Sequence, residues 1–161
     1  FSSNQAYVAR FESTFNIRTD GSNLGRIYVW EADKQMIMDH PVTGVGPGLW
    51  GKKYAEQYQL KEETQNLGHS HNNLLQIASE SGILGLIGFL GFSFFIFCKS
   101  LIHYVKLRNP YDLSILVGLV CYLFLFGSVD YTWGNSSGIR IFWIVMGIMI
   151  QLKINETYKV I

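Results

Sequence analysis

His69–Phe97 reads HSHNNLLQIASESGILGLIGFLGFSFFIF, and this stretch decides the fold. A polar segment with two histidines passes directly into an apolar segment, with no linker between them. The sequence therefore predicts titratable side chains at the boundary of a membrane-spanning helix. Because imidazole titrates close to neutral pH, histidines in this position are candidates for proton transfer.

Three apolar segments organise the second half of the chain. Ser81–Cys98 is 18 residues long, Leu113–Val129 is 17 and Ile141–Leu152 is 12. A helix that crosses a membrane needs about 20 residues, with a range of roughly 17–25. The first two segments are predicted to span. The third spans if 136–138 extend it and Arg140 reaches the interface; a buried or re-entrant helix is the alternative.

Composition supports an all-α, polytopic membrane bundle. The 161 residues are 48% hydrophobic, the apolar residues are clustered, and the net charge of +1 gives no case for nucleic-acid binding. Cys98 and Cys121 lie in or beside apolar segments, which favours buried thiols over a disulfide. The chain begins at Phe1 without Met, and we expect it to be the C-terminal part of a longer protein with further spans.

Basic residues predict the orientation in the membrane. Lysines and an arginine cluster in 99–112, and two lysines lie in 153–161. Cytoplasmic loops carry an excess of Lys and Arg. We therefore expect those two segments to be cytoplasmic, and 1–80 and 130–140 to be extracytoplasmic.

The first 80 residues are predicted to be mainly helical, without an obvious core of their own. Ser22 or Asn23 is a candidate N-cap for the first helix, and Pro41 follows its end. Thr43–Gly48 (TGVGPG) is a weak candidate for phosphate binding and is favoured as a plain turn. Helices are predicted over Leu24–Asp39, Lys52–Glu63 and Asn72–Glu80.

Glycines recur at every third position of the first apolar segment. Glycine weakens a helix in water but lets another helix approach closely in lipid. The spacing therefore predicts packing contacts within a larger bundle. The four positions are Gly82, Gly85, Gly88 and Gly91.

Other site chemistries find little support. His69 and His71 are two residues apart and His40 is distant, without the HExxH spacing or a nearby acid or cysteine, so no metal site is predicted. The chain has no Gly-x-Ser-x-Gly elbow and no Walker loop. Proton transfer by His71 is the function that the pattern favours.

Two motifs resemble the O-antigen ligase and O-antigen polymerase superfamily. Gly25–Gly48 (GRIYVWEADKQMIMDHPVTGVGPG) is similar to the family's arginine, tryptophan, Asp-His-Pro and glycine-turn pattern. His71–Gly82 fits the pattern of a histidine, an Asn, nine residues and a glycine. A large exterior loop followed by a few terminal spans completes the likeness, which covers most of residues 10–100.

The resemblance implies a metal-independent, inverting glycosyltransferase of the bacterial inner membrane, with its active site on the extracytoplasmic face and no cofactor. Its donor would be an undecaprenyl-diphosphate-linked glycan, and its acceptor a glycan or lipid-linked hydroxyl. His71 matches the family's proposed catalytic residue, and Arg26 is expected to hold the diphosphate. Arg10 is a looser match to another loop arginine, and a comparable role for Arg140 stays open.

The chemistry is consistent with these roles. An arginine fork binds two phosphate oxygens and stays charged at any working pH. A neutral imidazole takes the proton of a sugar hydroxyl as it attacks. Asn72 would orient His71 or the acceptor, and His69 is the second-choice base. The alternative for Arg26 is a surface arginine stacked on Trp30.

Several functions remain open at this point. The same residues would serve a ligase that uses a lipopolysaccharide core, a surface-polysaccharide polymerase, or a protein O-oligosaccharyltransferase. A transporter of lipid-linked glycans is the non-enzymatic alternative. Transporters place polar residues within their spans, and these spans have almost none, which favours the enzyme.

Overall fold

The computed structural model describes residues 21–61, 63, 67–134 and 136–159, and this part of the chain is helical, without a strand. The prediction of an all-α fold is confirmed. The helices are α1 (Gly21–Asp39), α2 (Trp50–Lys53) with a π-helical turn (Tyr54–Tyr58), α3 (Asn73–Leu107), α4 (Pro110–Leu119) continued by a π-helical turn (Val120–Leu125) and a 3-10 turn (Phe126–Ser128), and α5 (Ser136–Lys159).

Helix α1 agrees with the prediction at its C-terminal end and differs at its start. It already includes Gly21, so Ser22 and Asn23 lie inside the helix and the predicted cap is wrong. The amide of His40 still donates to the Met36 oxygen at 2.9 Å. Pro41 has no amide hydrogen to continue the ladder, and the helix ends there.

The described residues before α3 have a core of their own, contrary to the sequence-based expectation. The predicted helix over 52–63 is instead α2 and its π-helical turn, and the chain becomes extended at Gln59. Trp50 and Tyr54 are buried and stack with ring centroids 4.9 Å apart. The core that they form with α1 comprises Val29, Ala32, Met36, Val45, Trp50, Tyr54 and Tyr58.

Helix α3 joins two predicted segments into one element. Asn72 caps it, since its side-chain oxygen accepts from the amides of Leu74 and Leu75 at 2.9 and 3.0 Å. The helix continues to Leu107, well beyond the predicted Cys98, and is broken once, at Gly82 (φ 62°, ψ −162°). Only glycine adopts this backbone conformation readily.

The glycine turn predicted around Thr43–Gly48 packs directly on this break. A helix break leaves free carbonyls before it and free amides after it. The turn and the two residues before it satisfy both sets. The amides of Gly44, Val45 and Gly46 are therefore occupied by backbone oxygens and are lost as donors to a phosphate. Val45 and Gly46 donate to the oxygens of Ser79 and Glu80 at 2.8 and 2.9 Å, while Ile83 and Leu84 donate to those of Pro41 and Val42 at 2.9 and 3.4 Å.

Within the described residues, two helices are long and apolar enough to cross a membrane: Asn73–Leu107 and Pro110–Ser128. Ser137–Gln151, within α5, is a shorter apolar helix, and its crossing stays a prediction. Large apolar side chains such as Ile87 and Phe94 are 60% and 68% exposed, as expected of a surface that contacts lipid. The inner core between α3, α4 and α5 comprises Ile77, Phe89, Ile115, Leu119, Leu123, Phe142 and Met146.

Of the regularly spaced glycines, Gly85 leaves no room for a side chain beside Ser81 of its own helix, while Gly82 leaves none beside backbone outside α3. A Cβ on Gly82 would lie 2.3 Å from the carbonyl carbon of Val42. The close approach at Gly82 is therefore to the backbone of Val42 and Thr43 and not to another helix. No described atom lies within 4 Å of a Cβ built on Gly88 or Gly91.

Candidate functional site

His71 lies in the loop that enters α3, in a left-handed backbone conformation (φ 52°). The preceding residue fixes the loop from two sides. Trp30 of α1 donates from its indole to the Ser70 oxygen at 3.0 Å, and the Ser70 amide donates to the Gln76 side chain at 2.7 Å. Strained backbone at a constrained position is common at functional sites, so the loop is a site candidate on geometry alone.

A carboxylate meets the imidazole of His71. Its Nδ1 lies 3.2 Å from Oδ1 of Asp130, in the loop after α4. The same Oδ1 accepts from the Tyr131 amide at 2.8 Å. Because the carboxylate only accepts, Nδ1 of a neutral His71 carries the hydrogen and Nε2 is left as the basic nitrogen. The His71 side chain is 24% exposed, so a substrate can reach it.

The two asparagines after His71 hold the Asp130 loop in place. Asn72 donates from its side-chain amide to the Ser128 oxygen at 3.2 Å. Asn73 is fully buried and donates to the Leu123 oxygen and the Thr132 hydroxyl, while its own oxygen accepts from the Trp133 amide. The start of α3 and the Asp130 loop therefore form one unit, in which Asn72 positions the partner of His71.

His69 lies directly beside His71. Its Nδ1 accepts from the His71 amide at 3.2 Å, and the two ring centroids are 4.1 Å apart. Burial lowers the pKa of His69, the neighbouring His71 lowers it further, and Asp130 opposes both. His69 therefore favours the neutral form, which its acceptor role requires.

One atom each from His69, His71 and Asp130 lie within 4.8 Å of one another. The set could hold a metal ion, although sequence spacing gave no such candidate because Asp130 is 59 residues away from His71. A hydrogen-bonded histidine pair with a carboxylate accounts for the same contacts without a metal.

A buried carboxyl group, Asp33 of α1, lies near Ser70 and Trp50, next to the site. It accepts from the Trp50 indole at 2.6 Å and is fully buried. Burial raises the pKa of Asp33 to about 6, against the opposing effects of hydrogen bonds from Ser70, Trp50 and Ser79, and the charge of Glu80 adds to the rise. Asp33 of α1 thus lies close to Ser70, in the loop that carries His71.

Arg26 lies on α1, one helical turn before Trp30 and on the same face. Helix α1 runs parallel to the start of α3, since Trp30 contacts Ser70 while Pro41 and Val42, which follow α1, contact the Gly82 break. Arg26 is therefore at the end nearer His71 and is half-buried. Within the described part of the chain it has no cation–π contact with Trp30, so the stacked-arginine alternative finds no support.

The remaining candidates lie elsewhere. Arg10 is outside the described residues. Arg140 is exposed in the early turns of α5, after the loop that carries Asp130. His40 is exposed where α1 ends, away from the His71 pair.

Sequence reasoning missed Asp130, Asn73 and Asp33. The predicted topology placed 130–140 on the same side of the membrane as His71, which makes Asp130 a possible partner. No spacing rule pairs residues so far apart in the chain. Asn73 was visible only as part of the HNN tripeptide. Asp33 looked like one more charged residue of a solvated helix.

Comparison with known proteins identifies the family of this chain. A protein of Rickettsia conorii that carries a provisional name as a polysaccharide ligase is 28% identical over 148 residues. The alignment covers 85% of this chain and 34% of the relative, so the chain spans about one third of that protein's length. The sequence model of the O-antigen ligase family matches residues 1–90, which include Arg26, His69 and His71. The chain belongs to the O-antigen ligase family.

Proposed function

We propose that this chain carries the base and the diphosphate-binding arginine of a membrane glycosyltransferase. The enzyme transfers a glycan from an undecaprenyl-diphosphate-linked donor to a hydroxyl of a lipopolysaccharide core or polysaccharide chain. The observation that carries the proposal is the His71–Asp130 pair at the entry to a membrane-length helix. Family membership supports an enzyme of the O-antigen ligase type.

His71 acts as the general base. A sugar hydroxyl is a poor nucleophile, and Nε2 accepts its proton as the new glycosidic bond forms. Asp130 accepts the hydrogen on Nδ1, holds the ring in one tautomer and stabilises the imidazolium that results. Proton transfer of this kind is worth about 10²–10⁴ in rate.

Arg26 binds the leaving group. Negative charge grows on the diphosphate as the bond to the donor sugar breaks, and a guanidinium donates to two of its oxygens at once. Arg26 is half-buried, which strengthens its attraction for an anion relative to a fully solvated charge. Family resemblance assigns further arginines, including Arg10, to the same task.

The position of the site suits a substrate anchored in lipid. His71 precedes by two residues the first residue of a helix long enough to span the bilayer. A polyprenyl donor is confined to the membrane surface, so its diphosphate is presented at that depth. We propose that this surface is the extracytoplasmic face of the bacterial inner membrane.

The base assignment is tested with His71→Ala in the full-length protein, assayed in membranes for transfer of lipid-linked glycan. We expect transfer to fall by about 10²–10⁴ at an unchanged level of protein. His40→Ala, at an exposed histidine outside the site, is the matched control. Transfer near the wild-type rate in the His71 variant would remove it as the base.

The diphosphate role is tested with Arg26→Lys. Lysine keeps the charge but cannot donate in a bidentate fork, so the KM for the donor should rise at least tenfold, since hydrogen bonds to charged groups contribute about 1.5–3 kcal/mol. Arg108→Lys, at the far end of α3, is the control. Unchanged donor affinity would count against the clamp.

Two further measurements test for a bound metal and identify the acceptor. A chelator such as EDTA should leave the rate unchanged; strong inhibition would instead indicate a metal at His69, His71 and Asp130.

The length of the products, measured with a lipid A–core acceptor and with a lipid-linked repeat unit, separates a ligase from a polymerase.

A further inference from the structure

A cavity of about 710 Å³ opens beside the His71 site, between α3, α5 and the Asp130 loop. Five of its eleven lining residues are aromatic, and Glu80 supplies its one carboxylate. The aromatic residues are Phe89, Phe92, Tyr131, Trp133 and Trp143.

Tyr131 and His69 connect the cavity to the proposed base, His71. The ring of Tyr131 lines the cavity, and its centroid lies 6.0 Å from that of His69, which in turn contacts His71. Tyr131 directly follows Asp130, and Trp133 is held by the buried Asn73. The wall of the cavity and the partner of His71 therefore belong to the same anchored loop.

Glu80 is the polar group of the cavity. Its backbone oxygen accepts from Gly46, but its carboxylate makes no hydrogen bond or ion pair with the described residues. The carboxylate is close enough to Tyr131 for its charge to add to burial in raising the pKa of that phenol to about 12. The cavity thus presents a carboxylate acceptor beside the phenol of Tyr131 and the indole of Trp133.

This combination selects among three possible occupants. A diphosphate would be repelled by the Glu80 carboxylate, and a polyprenyl chain would cover it without giving it a partner, which is unfavourable. A sugar ring provides hydroxyl donors for the carboxylate and an apolar face for Tyr131 and Trp133. Mostly apolar cavities of this size with a few directed polar groups are typical of small-molecule sites.

The sugar that binds there belongs to the acceptor. Glu80 lies about two turns along α3 from His71, toward the Gly82 break, whereas Arg26 lies toward the opposite end. In an inverting displacement the nucleophile and the leaving group are on opposite sides of the reacting carbon. With the donor diphosphate at Arg26, the acceptor approaches His71 from the side of Glu80.

We propose that the cavity at Glu80, Tyr131 and Trp133 binds a neutral or amino sugar ring of the acceptor, and that Glu80 accepts hydrogen bonds from its hydroxyls. The assignment rests on the proposed glycosyltransferase function. It also predicts that an acceptor sugar carrying a carboxylate or phosphate binds poorly, because Glu80 repels it.

The test uses Glu80→Gln in the full-length protein in membranes, because glutamine keeps the size and removes the charge. The acceptor varied is lipid A–core, or the lipid-linked repeat unit if product lengths show polymerisation. The KM for that acceptor should rise about tenfold, with kcat and the donor KM within about twofold of the wild-type values. Glu31→Gln, an exposed α1 acid paired with Lys34, is the matched control.

Three results would overturn the assignment: an unchanged acceptor KM, a raised donor KM, or an equal change in the Glu31 control. A second variant, Tyr131→Phe, tests the same site without altering the aromatic wall, and a rise in donor KM there would also contradict it. Absence of glycan transfer by the wild-type protein with either acceptor would refute the proposed function instead.

Discussion

At the scale of the residue, the site depends on pairs that join distant parts of the chain. His71 and Asp130 are 59 positions apart and 3.2 Å from each other. Asn73 joins the start of α3 to Thr132 and Trp133. Each pair combines a residue near the HNN tripeptide with the loop after α4, so the chemistry of His71 depends on where that loop lies.

Replacement of Asp130 by Asn should therefore affect the reaction more than the fold. Asparagine keeps the shape but can donate to Nδ1, which favours the tautomer with the hydrogen on Nε2 and disables the base. We expect kcat to fall between about tenfold and the 10⁴-fold seen for the corresponding change in the serine-protease triad. The measurement is the single-turnover rate of glycan transfer at saturating donor.

Asp130→Glu is the control for this variant, since it keeps the carboxylate and should recover part of the lost rate. A wild-type rate in Asp130→Asn would show that the contact with His71 has no catalytic part.

Asp33 gives a prediction for stability against pH. Because burial raises the pKa of Asp33 from 3.8 to about 6, the folded protein holds a proton there that the unfolded chain releases. The contribution of Asp33 to stability is thus greatest below about pH 4 and is lost as the pH rises through about 6. This increase in the pKa of Asp33 corresponds to a difference on the order of 3 kcal/mol in the free energy of unfolding.

Asp33→Asn should remove this dependence while its side-chain oxygen still accepts from Trp50. In detergent, the variant should unfold at a higher temperature than the wild-type protein at pH 8, and the gap should close toward pH 4. Glu56→Gln, at an exposed acid, should leave the pH profile unchanged. Parallel profiles for Asp33→Asn and the wild-type protein would contradict the assigned ionisation.

At the scale of the element, the break in α3 binds the chain that follows α1, Pro41–Gly46. The glycine turn donates to the carbonyls before Gly82, and Pro41 and Val42, directly ahead of the turn, accept from the amides after it. This contact fixes the end of α1, and Trp30 fixes its middle. Together they hold α1, and with it Arg26, against the start of α3.

Gly82→Ala should disrupt this contact. The Cβ would meet the Val42 carbonyl carbon at 2.3 Å, and the backbone conformation (φ 62°) is unfavourable for alanine. We expect a loss of about 3 kcal/mol or more in stability, seen as reduced accumulation in membranes and a lower unfolding temperature.

Gly147→Ala is the matched control, because Gly147 lies exposed in α5 with no described atom near its Cβ position. It should be neutral or slightly stabilising, since alanine is the better helix former by about 1 kcal/mol. Similar losses in both variants would mean that α3 does not need its break.

At the scale of the whole molecule, the topology remains a prediction that the proposed function depends on. Single cysteines at Lys61, Lys106 and Lys159, in a full-length protein with Cys98 and Cys121 replaced by serine, report the side of each segment. A membrane-impermeant maleimide should label Lys61→Cys in intact cells, and Lys106→Cys only after permeabilisation, because basic loops favour the cytoplasm.

Lys159→Cys decides the third span. If α5 crosses the bilayer, this position should behave as Lys106→Cys does. Labelling in intact cells would mean that α5 returns to the outer face, in agreement with the short apolar length of Ser137–Gln151. Labelling of Lys106→Cys without permeabilisation would invert the proposed orientation and place His71 on the cytoplasmic side.

The sequence by itself determined the helical class, the two membrane-length helices, the end of α1 and the family, because these follow from local composition, proline and short motifs. It also singled out His71. Only the tertiary structure decided that Asp130 faces His71, that Asn73 anchors the loop, and that Gly82 meets a turn. These contacts join residues from 40 to 60 positions apart, and no periodic pattern encodes them.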